Sequence, residues 1–321
     1  MRKVRALRRN TPPLRSNDDI YMLIGIVAAM LLIVGPLTLG LRGVMRPHHA
    51  QPDEPRNAAR RDWRLTASSA LLYAIAFNLT FFIQELFLAL PKALLPGVTP
   101  TLFHNNHTWE GDHPLTSLFQ GTGALATVLS GVLCALLLRH RPPASRSWRL
   151  FLIWMTYNGL LQALPQIVVG ALNPGNDVGM AMDYLALAPW AKTIAALAAL
   201  LAIPKIALRL TPSLLGLADR AARIASARAR SAFIFDVATL PALLAILLII
   251  PFRIPRELIE VLAPPLVVTV IGVAWMQAGA WRIHDALPDP HARSVSLFYP
   301  LGALFALLLV FQIILRPGIR F

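Results

Sequence analysis

The apolar residues of this chain lie in long unbroken blocks, and that feature limits its fold more than any other. Blocks of about 20 residues or more are long enough to cross ~30 Å of hydrocarbon as helix. Eight such stretches occur, at roughly 20–41, 66–92, 115–138, 150–172, 184–204, 232–252, 261–281 and 296–315. Inside lipid a backbone has to satisfy its own hydrogen bonds, which leaves helices as the way to use such blocks. The expected fold class is all-α: a polytopic transmembrane helix bundle of about eight spans. Only 14% of residues are charged, against about 25% in ordinary soluble domains. The first block is long and follows a polar leader, so it reads as a span and not as a cleavable signal peptide.

The net charge is +14. A soluble chain with that excess would suggest nucleic acid as a partner. Here the basic residues sit between the spans, so the expected partner is the lipid bilayer, with no nucleic acid. Arginine greatly outnumbers lysine, and alanine and leucine are abundant. This composition suits a GC-rich bacterium, hence a bacterial inner membrane crossed several times. Cys134 is the single cysteine, which excludes an internal disulfide.

The organisation read from these blocks has four parts. Residues 1–64 hold a basic leader, the first span and a polar linker containing His48 and His49. Residues 65–210 form a four-span core with polar loops at 96–114 and 173–183. Residues 211–231 read as a basic interfacial helix opening at Thr211-Pro212. Residues 232–321 supply three more spans. Lys and Arg are absent from 93–138 and 150–191 but dense in 42–64, 139–149 and 205–230. The positive-inside rule then puts the dense segments in the cytoplasm and the two polar loops opposite. The first span is basic at both ends, which that rule does not resolve.

The reactive side chains concentrate between Phe77 and His113. Asn78, Glu85 and Lys92 are seven residues apart, two helical turns, and share one face of an apolar helix. Gln84 lies beside them. Ionisable groups in a span turn toward the bundle interior or a wet cavity. The loop that follows carries His104, His107 and His113, with Glu110 and Asp112 between them. Imidazole and carboxylate suit zinc and related divalent ions, although the spacing fits no standard zinc pattern. Turn residues there leave the side chains free either to converge or to face water. Asn158, Gln162 and Gln166 recur every four residues on the fourth span, and this stripe leads to the turn Asn173–Asn176 and to Asp177. Packing the two stripes together places Glu85 within reach of polar groups on the fourth span. On this reading Asn158→Ala is tolerated, and Glu85→Leu removes function while leaving folding nearly intact.

Three segments together resemble the site-2 protease family of intramembrane zinc metallopeptidases. Gln84-Glu85-Leu86-Phe87-Leu88 stands where that family has H-E-x-x-H. Gly121-Thr122-Gly123-Ala124 looks like its small-residue helix opening. Asn173-Pro174-Gly175-Asn176-Asp177-Val178-Gly179 looks like its aspartate segment. The resemblance covers about residues 66–205. It implies zinc as cofactor, Glu85 as general base and Asp177 as a metal ligand. Both motif histidines are replaced, by Gln84 and Leu88, so it also implies a degenerate, non-catalytic site that binds membrane-embedded protein clients. Two other readings stay open. One is an active metal-dependent membrane hydrolase, with His104, His107 and His113 holding the ion and Glu85 or Glu110 polarising water. The other is a small-solute transporter or permease whose polar path is lined by Asn78, Glu85, Lys92, Asn158, Gln162 and Gln166.

Overall fold

The computed structural model of the protein describes residues 15–45, 61–141, 143, 145–288 and 295–321. Most of the basic leader and of the first linker, His48 and His49 included, lies outside them. The first apolar block is one nearly continuous helix: α1 (Arg15–Ala29), a π-helical turn at Met30–Val34, and α2 (Gly35–Val44). The longest helix follows, α3 (Trp63–Ala93), of 31 residues. The Asp62 carboxylate fixes its start by accepting the Leu65 N–H at 3.1 Å, an N-cap contact worth about 1 kcal/mol.

The polar loop expected after α3 contains a small antiparallel sheet. Strands β1 (Thr99–Leu102) and β2 (His107–Glu110) pair with Thr99 opposite Glu110 and Leu102 opposite His107. Gly111 ends the hairpin with φ +92°, where an added Cβ would lie 1.8 Å from the Gly97 carbonyl oxygen, so only glycine fits. Next come α4 (Leu115–Phe119), α5 (Thr122–His140), α6 (Arg146–Leu172), α7 (Asp177–Tyr184) and α8 (Pro189–Leu215). Helix α9 (Ala227–Ile234) passes through a π-helical turn into α10 (Leu240–Arg253). Helices α11 (Leu258–Gly279) and α12 (Phe298–Leu309) follow. A last strand, β3 (Ile319–Arg320), adds to the free edge of β1, giving the order β2-β1-β3.

Seven of the described helical stretches are long and apolar enough to cross a membrane. The protein is an all-α, multi-pass integral membrane protein. The remaining expected span is α6. Asn158, Gln162 and Gln166 lower its hydropathy, and it is not among the seven. It still runs the length of the bundle. At one end Arg146 donates to the Leu217 carbonyl beyond α8; at the other Gly170 packs on Gly179 of α7. Helices α3, α5 and α8 surround it, so its polar side chains meet protein and not lipid.

The core forms where α3, α6 and α11 meet. Tyr73, Trp154 and Tyr157 are fully buried there, with ring centroids 4.8 Å to 5.8 Å apart. The Tyr157 hydroxyl is inserted into the backbone of α11. It lies 2.8 Å and 2.9 Å from the Val268 and Thr269 carbonyls and accepts the Val273 N–H at 3.1 Å. Gly272 makes this possible, because a Cβ there would sit 2.6 Å from that hydroxyl and 2.3 Å from Leu161. Gly272→Ala is expected to cost about 1–3 kcal/mol through overpacking, despite alanine's better helix propensity. Thermal unfolding in detergent checks this, and a variant as stable as wild type would contradict it.

The basic segment 211–231 differs from its expectation. Thr211 and Pro212 do not open an interfacial helix; they lie in the last turn and a half of α8, where the Thr211 hydroxyl donates to the Ala207 carbonyl at 2.9 Å. Beyond α8 the chain makes a short 3-10 turn at Ala221–Ile224, and Ser226 caps α9, which leads directly into the next span. Arg230 is buried and donates to the Ile224, Ala225 and Trp281 carbonyls. Free backbone acceptors at the helix ends draw that guanidinium inward, away from the lipid headgroups.

A candidate buried charge relay

Two polar helix faces and the hairpin build one site at the end of the bundle opposite Arg146 and Arg230. Glu85 on α3 is only 6% exposed. Strand β2 lowers His107 onto it, with Nδ1 donating to the Glu85 carboxylate at 2.9 Å. The other ring nitrogen, Nε2, faces two groups: Lys92 Nζ at 3.0 Å and Gln120 Oε1 at 3.1 Å. Lys92 is fully buried and donates to Gln120 Oε1 at 2.8 Å. Trp109 covers the cluster. Its ring stacks on His107 at 5.7 Å and lies 4.3 Å from the Lys92 ammonium, a desolvated cation–π contact worth about 2 kcal/mol.

This geometry serves two protonation states of His107. Neutral, with its proton on Nδ1, the ring accepts from Lys92 through Nε2. With a second proton on Nε2 it donates to Gln120 and to Glu85 only when Lys92, 3.0 Å from Nε2, is the neutral amine, because an ammonium there would set donor against donor. Each ring nitrogen thus has a hydrogen-bond partner in either arrangement.

Asp177, in the first turn of α7, faces the same cluster and is half-buried. Its carboxyl is raised above the usual carboxylate range. Burial is the main cause and the Glu85 charge adds to it, while His107 and Lys92 pull the other way. A raised folded pKa means that the folded chain holds this proton more tightly than the unfolded chain. Stability therefore falls as pH rises from the unfolded value, about 3.9, through the folded one, and the penalty persists above it. Asp177→Asn removes the penalty. Melting curves between about pH 4 and about pH 8 are expected to show the variant gaining on wild type as pH rises. A difference constant across that range would contradict this.

A file of polar side chains runs into the bundle from Gln84, the neighbour of Glu85 on α3. Gln166 Nε2 donates to Gln84 Oε1 at 2.8 Å and to the Gln162 carbonyl at 3.0 Å. Gln162 donates to the Phe77 carbonyl at 3.1 Å and to Asn158 Oδ1 at 3.4 Å. Asn158 donates to the Trp154 carbonyl, the Trp154 indole donates to the Ser69 hydroxyl, and that hydroxyl donates to the Val237 carbonyl. Beside Val237, Asp236 pairs with Arg61 at 2.6 Å. Among the described residues, Gln162 Oε1, Thr80 Oγ1, Thr156 Oγ1 and Ser68 Oγ are buried without a hydrogen-bond partner. Asn78 closes locally on the Ala74 carbonyl.

The other expected site residues have separate places. His104 donates to the Ile254 carbonyl at 3.2 Å, and burial lowers its pKa. His113 Nδ1 accepts the Leu115 N–H at 3.2 Å at the start of α4. Glu110 pairs with Arg320 on the surface, Asp112 is exposed, and Asn176 caps α7 through the Val178 N–H. The loop histidines thus go three ways because the hairpin directs each to a different element. Among the described residues no group of three His, Cys, Asp or Glu side chains could hold a metal ion. The residues present do not fit zinc, since Gln84 is bonded to Gln166 and Leu88 is a buried apolar side chain.

Three participants were not picked out from the sequence: Trp109, Gln120 and Arg253. Arg253 is buried, lies over the Phe81 ring at 4.4 Å and is within electrostatic reach of Glu85. Its signal was available, for Arg253 and Arg256 are basic residues at the bundle end where the polar loops carry none. The three segments that carry the family resemblance also meet here. Gly123 packs on Leu88 and Gln84, Gly121 packs on Ala181 of α7, and Asp177 faces Glu85. No family model matches the chain, and neither the curated proteins nor the solved structures contain a match.

Proposed function

We propose that this protein carries protons along the interface of α3 and α6, in a bacterial inner membrane. The supporting observation is the position of His107, which bridges Glu85 and Lys92 at the head of the polar file. Buried carboxylate, imidazole and amine groups in a span are the usual parts of a proton path. Half-buried Asp177 receives a proton from the aqueous end, His107 exchanges it, and Glu85 passes it inward. From Gln166 to Trp154 the file follows twelve residues of α6, about 18 Å. The unpaired oxygens of Gln162, Thr80 and Thr156 suit water as the inner carrier. Solute transport coupled to this flow is the corresponding permease reading.

The test compares wild type with Glu85→Gln in liposomes loaded with a pH-sensitive dye under a potassium-diffusion potential. Glutamine keeps a hydrogen-bonding oxygen for His107 but loses the titratable proton. The variant is expected to lose at least about tenfold in proton uptake, the size of one 1.4 kcal/mol barrier increment. Uptake equal to wild type would overturn the reading.

The meeting of the Gln84–Leu88, Gly121–Ala124 and Asn173–Gly179 segments supports a second reading, a site-2-protease-like scaffold that binds membrane-embedded protein clients without cutting them. Phe87 is exposed on α3 beside the site. A photo-crosslinker at that position is then expected to capture a client transmembrane segment, with no protein-dependent proton uptake. Recovery of lipid adducts alone would count against it.

A further inference from the structure

A second site lies far from the charge relay. Helices α2 and α10 both pack on α11, and between them is a cleft of about 970 Å³. That volume is at the upper end of ligand-binding sites, about 300–1,000 Å³. Leu37 and Leu41 form one wall, Leu243 the other, and Val270 and Ala274 the floor. The few polar side chains in its depth are closed on one another. The Thr239 hydroxyl donates to Gln277 Oε1 at 2.6 Å, and Gln277 Nε2 donates to the Ser231 carbonyl at 3.1 Å. The walls therefore favour an apolar occupant.

The mouth is different. Arg228, in the first turn of α9, is exposed there and has no ion pair among the described residues. Trp281 stands beside it, its indole donating to the Leu39 carbonyl at 3.3 Å. A tryptophan and an arginine at a span end mark the headgroup level of a bilayer. From Val44 at the mouth to Leu32 in the depth is twelve residues of helix, about 18 Å, slightly more than half of a ~30 Å hydrocarbon core. A cationic mouth, a tryptophan at headgroup level and an apolar slot as deep as one leaflet match a single kind of molecule.

We propose that the cleft between α2 and α10 binds one anionic phospholipid, its phosphate on Arg228 and its acyl chains against α11. The proposal does not depend on the relay.

The test is native mass spectrometry of the full-length protein in mild detergent, titrated with phosphatidylglycerol and phosphatidylcholine. Wild type is expected to retain one phosphatidylglycerol, preferred about fivefold over phosphatidylcholine, the equivalent of the ~1 kcal/mol that one basic residue contributes near a membrane surface. Arg228→Glu is expected to lose the preference but keep a bound lipid. Ala274→Phe, which fills the floor, is expected to lose the bound lipid of either headgroup, and Leu243→Trp replaces it if that variant does not fold. Equal retention of both lipids by wild type, unchanged retention in the filled variant, or a phosphate-free molecule in the cleft would each overturn the proposal.

Discussion

Glu85→Leu is expected to destabilise the protein by about 1–3 kcal/mol or more, the usual cost of leaving a buried donor without its acceptor next to buried charge. Leucine leaves His107 Nδ1 without its acceptor and removes one of the anions that offset Lys92 and Arg253, leaving Asp177 beside the first and Glu260 beside the second. This expectation differs from the sequence reading, in which folding stays nearly intact, because the chain order does not reveal that β2 lowers a histidine onto Glu85. Part of the loss comes from stranding a cation. Lys92→Met added to Glu85→Leu is therefore expected to recover some stability, a non-additivity of the kind contacting residues show. Thermal unfolding of the single and double variants in one detergent measures it. A Glu85→Leu protein that melts with wild type would show that the pair contributes nothing to the fold.

Gly159→Val should have an effect of similar size for a different reason. Helices α5 and α6 cross with backbone against backbone. A Cβ on Gly159 would lie 2.7 Å from both Gly131 Cα and Gly131 N and 2.8 Å from the Thr127 carbonyl oxygen. None of these atoms belongs to a flexible side chain, so the helices must separate. Small residues at such crossings allow the close contact that holds membrane helices together, and overpacking a tight site costs about 1–3 kcal/mol or more. Separating α5 from α6 also moves Gly123 off Gln84 and disturbs the polar file. Lower melting temperature and poor accumulation in the membrane are expected. Normal accumulation with unchanged melting would contradict the close crossing.

Part of this arrangement could be read in the sequence because it is set by helical spacing. Asn78, Glu85 and Lys92 share a face by their seven-residue interval, and all three are buried. Asn158, Gln162 and Gln166 form a stripe by their four-residue interval, and the stripe meets α3 through Gln84 and the Phe77 carbonyl. Long apolar blocks were sufficient for the membrane class. What spacing does not carry is long-range pairing. The directions of His104, His107 and His113 depend on a hairpin whose edge is completed by Ile319 and Arg320, more than two hundred positions later. Arg253 reaches the site from α10 in the same non-local way. The basic stretch after Leu210 misled because its arginines are divided: Arg230 satisfies backbone carbonyls and Arg223 pairs with Asp219, where composition alone suggested one basic face on a lipid surface.

The central claim is that protons pass from the Glu85–His107–Lys92 cluster through the α6 stripe. Potential-driven proton uptake into liposomes tests it most directly, comparing wild type, protein-free vesicles and Gln162→Leu. That substitution interrupts the middle of the file while leaving the charged cluster intact. The account predicts uptake above the protein-free level for wild type and uptake at that level for Gln162→Leu. Wild-type vesicles as proton-tight as empty ones, or a Gln162→Leu protein that conducts like wild type, would contradict it.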